Sequence, residues 1–105
     1  MSKAVTQDDF EEHVTNSEGL VIVDFWAPWC PPCRTLGPIL ESVEKDSKGK
    51  VVVAKVDVDQ NQKLAQEHGV QGLPTVKLFK DGQEIETWVG LMPKQSYLDM
   101  VEKHA

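Results

Sequence analysis

The chain has 105 residues, seventeen acidic against eleven basic, with a formal net charge of −6, 40% hydrophobic and 27% charged residues. That composition fits one soluble domain over residues 1–105, with a packed core that needs neither a disulfide staple nor a metal. The acidic balance argues against nonspecific nucleic-acid binding and adhesion to anionic membranes, and no apolar run nears the roughly 20 residues of a membrane span.

The amino-terminal residues hold no apolar stretch of signal-peptide length, so a cytoplasmic location is expected. Residues 3–5 read as a short edge strand. Thr6 followed by Asp9 resembles an N-cap with an acid at N3, and Phe10 with Val14 makes an i, i+4 apolar pair, which predicts a helix over residues 8–16. Gly19 breaks it. Leu20-Val21-Ile22-Val23 opens a strand over residues 20–26 that is apolar enough to be buried on both faces.

The only two cysteines follow, in Trp29-Cys30-Pro31-Pro32-Cys33, where that strand turns into a helix over residues 34–45. With Cys30 at the N-cap, Pro31 and Pro32 take the first helical positions, where a missing N–H costs little. The Cys30 sulfur then faces the free N–H of Cys33 and the positive end of the helix dipole, and both favour thiolate over thiol. Arg34 adds a fixed positive charge nearby. Leu36, Ile39, Leu40 and Val43 mark the buried face of this helix, and Pro38 is expected to kink it.

After a polar turn at residues 47–50, residues 51–58 read as a central strand. Asp59 is expected to cap a helix over residues 60–68 that ends at Gly69. Gly72-Leu73-Pro74 leads into a strand over residues 75–80. Asp81-Gly82 is a hairpin signal, and residues 84–89 form the partner strand, ended by Gly90. Pro93 opens the last helix, with Tyr97, Leu98 and Val101 on its inner side. The order β-α-β-α-β-α-β-β-α implies an α/β sheet covered on both faces and made mixed by the closing hairpin.

Two close cysteines in a reducing compartment suggest redox cycling or metal binding. A tetrahedral zinc site needs four ligands. His13, His68 and His104 are scattered, offer no second ligand pair and are expected on the surface. Asp24 lies inside an apolar run, where burial would raise its pKa. Lys55 fits either a buried or a solvent-facing strand position. Trp26 is expected inside, Trp29 exposed beside the sulfur, and Trp88 structural.

Together, the Cys-Pro-Pro-Cys run with Trp29, Asp24 in the preceding strand, the Lys55 strand, Gly72-Leu73-Pro74-Thr75, Phe79-Lys80-Asp81-Gly82 and Val89-Gly90 resemble the thioredoxin family over essentially the whole chain. The resemblance implies a thioredoxin fold, a five-stranded mixed sheet flanked by four helices, and protein disulfide reductase activity without a cofactor or metal. It implies Cys30 as attacking thiolate and Cys33 as resolving thiol. Asp24 would move the Cys33 proton, with Lys55 as its charge partner. Pro74 would be cis, although the base rate for an X-Pro bond favours trans. Trp29, Gly72, Leu73, Pro74, Val89 and Gly90 would receive the substrate. The implied partners are disulfide-containing proteins and a recycling reductase, with the chain itself a monomer.

The chain departs from the family's usual pattern in having Pro31 where glycine is common and Arg34 where lysine is common. Pro31, Pro32 and Arg34 are therefore candidates for redox tuning, since ~1.4 kcal/mol moves a dithiol potential by about 30 mV. A more oxidising oxidase or isomerase, or an interaction module whose cysteines contribute little, are the competing readings.

Overall fold

A computed structural model describes residues 2–105. Its strands are β1 (Lys3–Ala4), β2 (Leu20–Trp26), β3 (Val51–Asp57), β4 (Thr75–Lys80) and β5 (Gln83–Val89). Its α-helices are α1 (Pro31–Asp46), α2 (Gln62–Glu67) and α3 (Lys94–His104), and a π-type helix spans Glu11–Thr15. The four helices and five strands expected are all present. The first helix is shorter than expected and wider in its turn: the Asn16 N–H donates to the Glu11 carbonyl five residues back, at 2.8 Å. Thr6 and Asp9 do meet before it, with the Thr6 N–H donating to Asp9 Oδ1 at 2.7 Å.

β2 is the hub of the sheet. Every residue from Leu20 to Phe25 is buried, so both faces of this strand need cover. β3 pairs with it in parallel and β4 antiparallel, and the full order is β1-β3-β2-β4-β5. Strand side chains alternate between faces. Leu20 and Ile22 pack with Leu36, Leu40 and Val43 of α1 and with Tyr97, Met100 and Val101 of α3. Val21, Val23 and Phe25 pack on the other face with Phe10, Val14, Leu64 and Ala65. Asp24 shares the face of Leu20 and Ile22, so the same alternation that buries the core drives a carboxylate towards α1.

Asp59 does not cap α2. Asn61 occupies that position, because the Asp59 carboxylate is engaged elsewhere and Asp57 organises the preceding turn, accepting from the Asp59 N–H at 2.9 Å. At the β4–β5 hairpin, Asp81 and Gly82 both have positive φ (51° and 84°), as a tight mirror-image turn requires. Gly82 also abuts the π-type helix: a Cβ there would lie 2.1 Å from the Thr15 carbonyl oxygen.

β1 is too short to cover all of β3. Beyond it, the Val53 N–H donates to Glu44 Oε2 at 2.8 Å and the Val51 N–H to Ser47 Oγ at 3.3 Å. Two side chains from the carboxyl end of α1 and its cap thus occupy the free edge of β3. Among the described residues, no helix is long and apolar enough to cross a membrane.

Candidate active site

Cys30 ends the loop after β2 and is the N-cap of α1, with extended torsions (φ −97°, ψ 107°). Extended backbone is what a residue preceding proline adopts, and Pro31 and Pro32 then enter the helix as its first residues. The Cys33 N–H donates to Cys30 Sγ at 3.3 Å, the cap that the sequence implied. The two sulfurs form a disulfide, with Cα atoms 5.2 Å apart, and both residues are buried except for a few per cent of their surface. The structure is therefore that of the oxidised form.

Exposed groups surround this buried pair. Trp29 is 64% exposed, yet its indole is fixed: Nε1 donates to Asp59 Oδ2 at 2.8 Å. Arg34 reaches back over the first turn of α1, and its Nη1 donates to the Pro28 carbonyl at 3.0 Å. Both ends of the Pro28–Trp29 dipeptide are thus held by side chains from other segments. Trp26 is mostly covered, as expected. Trp88 packs beside the core and against Tyr97, with ring centroids 5.4 Å apart, as expected of a structural residue.

Across from the sulfurs, the Leu73–Pro74 bond is cis. The segment is tied at both ends, with Thr75 Oγ1 donating to the Gly72 carbonyl and the Gly90 N–H donating to the Pro74 carbonyl at 2.8 Å. That second bond brings Gly90 and exposed Val89 to the same end of the sheet. Gly72 keeps this approach close: a Cβ there would come to 3.0 Å from Val89 Cγ1, so the exposed valine side chain would have to shift. Between the Trp29 loop and residues 70–73 lies a cleft of about 470 Å³, lined by Trp29, Cys30, Pro31, Pro32, Val58, Val70, Gln71 and Leu73. Val58, Val70, Gln71 and Asp59 escaped sequence reasoning. The first two were legible in principle, as single apolar residues just beyond the end of a strand and of a helix.

Asp24 is fully buried and neither carboxylate oxygen has a hydrogen-bond partner among the described residues. Burial raises its pKa from the ordinary 3.8 to about 7, against an opposing pull from Lys55. Lys55 stands opposite Asp24 in the β2–β3 register. No ion pair within 4 Å joins the two. The Lys55 ammonium lies instead 4.5 Å above the centre of the Trp26 ring and beside Gly37 of α1. The position is partly buried, between the two orientations the sequence left open.

His68, expected on the surface, is partly inside. Its imidazole sits among three rings, with centroids 4.9 Å from Phe10, 5.8 Å from Phe25 and 5.9 Å from Phe79.

A family model described as thioredoxin matches residues 1–103. A thioredoxin of Rickettsia felis is 43% identical over 103 residues, covering 98% of each chain. A thioredoxin of Bacillus subtilis is 46% identical over 88 residues, covering 84% of this chain and 85% of that one. Among solved structures, a mutant thioredoxin from Halobacterium salinarum superposes with a TM-score of 0.90 at 38% identity, over 98% of this chain and 89% of its own.

Proposed function

The chain belongs to the thioredoxin family and is a dithiol–disulfide oxidoreductase, and on that footing we propose how its residues divide the work. The observation that carries the reading is the Cys30–Cys33 disulfide at a helix N-terminus on the rim of an apolar cleft. In the reduced form, Cys30 is the nucleophile. The Cys33 N–H and the helix dipole stabilise its thiolate. It attacks one sulfur of a substrate disulfide, forming a mixed disulfide and expelling the other substrate sulfur as thiolate. Cys33 then loses its proton and attacks Cys30 Sγ, which closes the intramolecular disulfide and releases the second substrate thiolate. Two electrons pass from the cysteine pair to the substrate. The second step is fast because Cys33 is tethered beside the bond it cleaves.

Asp24 takes the Cys33 proton. With a pKa near 7 it can hold or release a proton at neutral pH, the condition for a general base and acid. Lys55 sets how readily it ionises. Trp29, Gly72, Leu73, Pro74, Val89 and Gly90 receive the polypeptide around the substrate disulfide, while Pro31, Pro32 and Arg34 set the redox poise through the first turn of α1. Substrates are disulfide-containing proteins, and a separate reductase returns the two electrons. The protein works as a single-domain monomer in the cytoplasm.

The test is to trap the intermediate. Incubation of Cys33→Ser with an insulin disulfide should accumulate a covalent adduct through Cys30, whereas Cys30→Ser should give neither adduct nor turnover. Turnover by Cys30→Ser, or an adduct formed equally well without Cys30, would overturn the assignment.

A further inference from the structure

We propose that His68 is a positioning residue for the exchange site: its imidazole, wedged among Phe10, Phe25 and Phe79, anchors the segment 69–74 that forms one wall of the cleft beside Cys30. The proposal rests on that segment being part of the substrate site.

Three observations carry it. The first is placement. His68 is the C-cap of α2, and the chain turns there through Gly69 at φ +68° into Val70, Gln71, Gly72 and Leu73. Val70, Gln71 and Leu73 line the cleft with Cys30. The turn is held by two backbone bonds, from the Gly69 N–H to the Gln66 carbonyl and from the Val70 N–H to the Ala65 carbonyl, each 3.0 Å. α2 has only six helical residues, too few to be stable without tertiary packing. The position of the wall therefore depends on what pins the end of this helix.

The second is the cage. The three phenylalanines come from the segment before the π-type helix, from β2 and from β4, and Phe10, Phe25 and Phe79 are each more than nine-tenths buried. Phe10 and Phe79 also contact each other edge to face at 5.9 Å. The imidazole thus inserts into an aromatic group on the sheet face opposite α1, and it adds, at the last position of the helix, to the hold that Leu64, Ala65 and Val70 have on the same cluster.

The third is charge. The charged groups acting on His68 are the Lys77 ammonium of β4, Glu84 of β5 and Glu67 of its own helix. Lys77 is itself buried and paired with Glu84 at 3.0 Å. Burial first, and Lys77 second, hold the imidazole below its ordinary pKa of 6.5, outweighing the two glutamates. The neutral ring is the form that fits the cage. Protonation in acid places a second cation beside Lys77 in an apolar surround, so acid loosens the wedge and with it the wall of the cleft.

Two readouts separate this anchoring from its consequence. Hydrogen-exchange protection factors of the Gly69 and Val70 amides, normalised for the intrinsic pH dependence of exchange, report the anchor alone. The parent protein should lose protection several-fold between pH 7.5 and pH 5. His68→Phe keeps an aromatic wedge that cannot protonate, and should hold its protection, while His68→Ala should lose it at both pH values. KM for an insulin disulfide reports the consequence. Its ratio between pH 5 and pH 7.5 should be several-fold larger in the parent than in His68→Phe, a comparison in which the titrations of Cys30 and Asp24, common to both proteins, cancel. Equal protection in parent, Phe and Ala proteins would overturn the anchor. Altered protection with superposable KM profiles would overturn the role in substrate binding. If Leu73→Asp also left KM unchanged, the fault would lie with the segment as a substrate surface and not with His68 as its anchor.

Discussion

Replacing Asp24 with asparagine should stabilise the oxidised protein, and by an amount that depends on pH. The carboxyl ionises near 3.8 in an unfolded chain and at about 7 in the native one. Between those values the unfolded state binds fewer protons than the folded state, so unfolding becomes easier as pH rises. At 1.36 kcal/mol per decade of proton affinity, the loss accumulates from about pH 4 to pH 7 and levels off at roughly 4 kcal/mol. Asparagine has nearly the same shape and no charge to desolvate, although its amide still lacks partners. Urea denaturation of both oxidised proteins at pH 4, 5.5 and 8 measures the effect. The variant should match the parent at pH 4 to within ~1 kcal/mol and exceed it by ~3–4 kcal/mol at pH 8. With a urea dependence of ~1–3 kcal/mol per molar, the midpoint moves by about 1–4 M. His68 titrates in both proteins and cancels from the difference. A difference that stayed constant from pH 4 to 8 would refute the reasoning, because it would mean that the native carboxylate loses no hydration. The same variant should slow reduction of protein disulfides at pH 7, so stability and activity should move in opposite directions.

Gly37 lies within α1, and outside its own helix a Cβ there would meet only the Lys55 ammonium at an ordinary 3.5 Å. Gly37→Ala sets alanine's helix-propensity advantage of about 0.5–1 kcal/mol against crowding of the new Cβ by the Pro38 ring that follows it in the helix, so Tm should change by less than roughly 4 °C; a rise beyond that would show that the Pro38 ring does not crowd the added methyl. Gly82→Ala should destabilise the fold, since its φ of 84° strains an alanine and its Cβ would meet the Thr15 carbonyl at 2.1 Å. A loss of about 2 kcal/mol or more is expected, lowering Tm by roughly 10 °C, and an unchanged Tm would show that the hairpin tip is free to move. Asp59→Ala removes the acceptor of the Trp29 indole and should lower the steady-state fluorescence anisotropy of Trp29, measured in a Trp26→Phe, Trp88→Phe background, by freeing the ring; unchanged anisotropy would mean that the loop alone holds it.

Much of this was legible in the sequence because the strongest signals are local. β2 and β4 match their expected bounds, since doubly buried apolar runs leave little choice. The cysteine N-cap followed from two adjacent prolines, which are best accommodated in the first turn of a helix, where no backbone bond is lost. What stayed hidden depends on partners far along the chain. Asp59 carries the residue type of a helix cap, but nothing local shows that its carboxylate would be taken by Trp29. His68 before Gly69 looks like the frayed, exposed end of a short helix. Its burial follows from three phenylalanines that the sheet assembles from separate segments. The π-type turn after Phe10 rests on bonding five residues back, as from Asn16 to Glu11, that apolar spacing does not encode.

The sealed edge of β3 bears on how such a carrier keeps its partners apart from itself. A protein that meets partly folded, disulfide-bearing chains encounters many exposed strands, and an open sheet edge would capture them through backbone pairing regardless of whether they carry a disulfide. Glu44 and Ser47 occupy the donors that such a strand would need. Contact with client chains is thereby discouraged along this flank, so a partner that has surrendered its disulfide retains one fewer surface by which to stay.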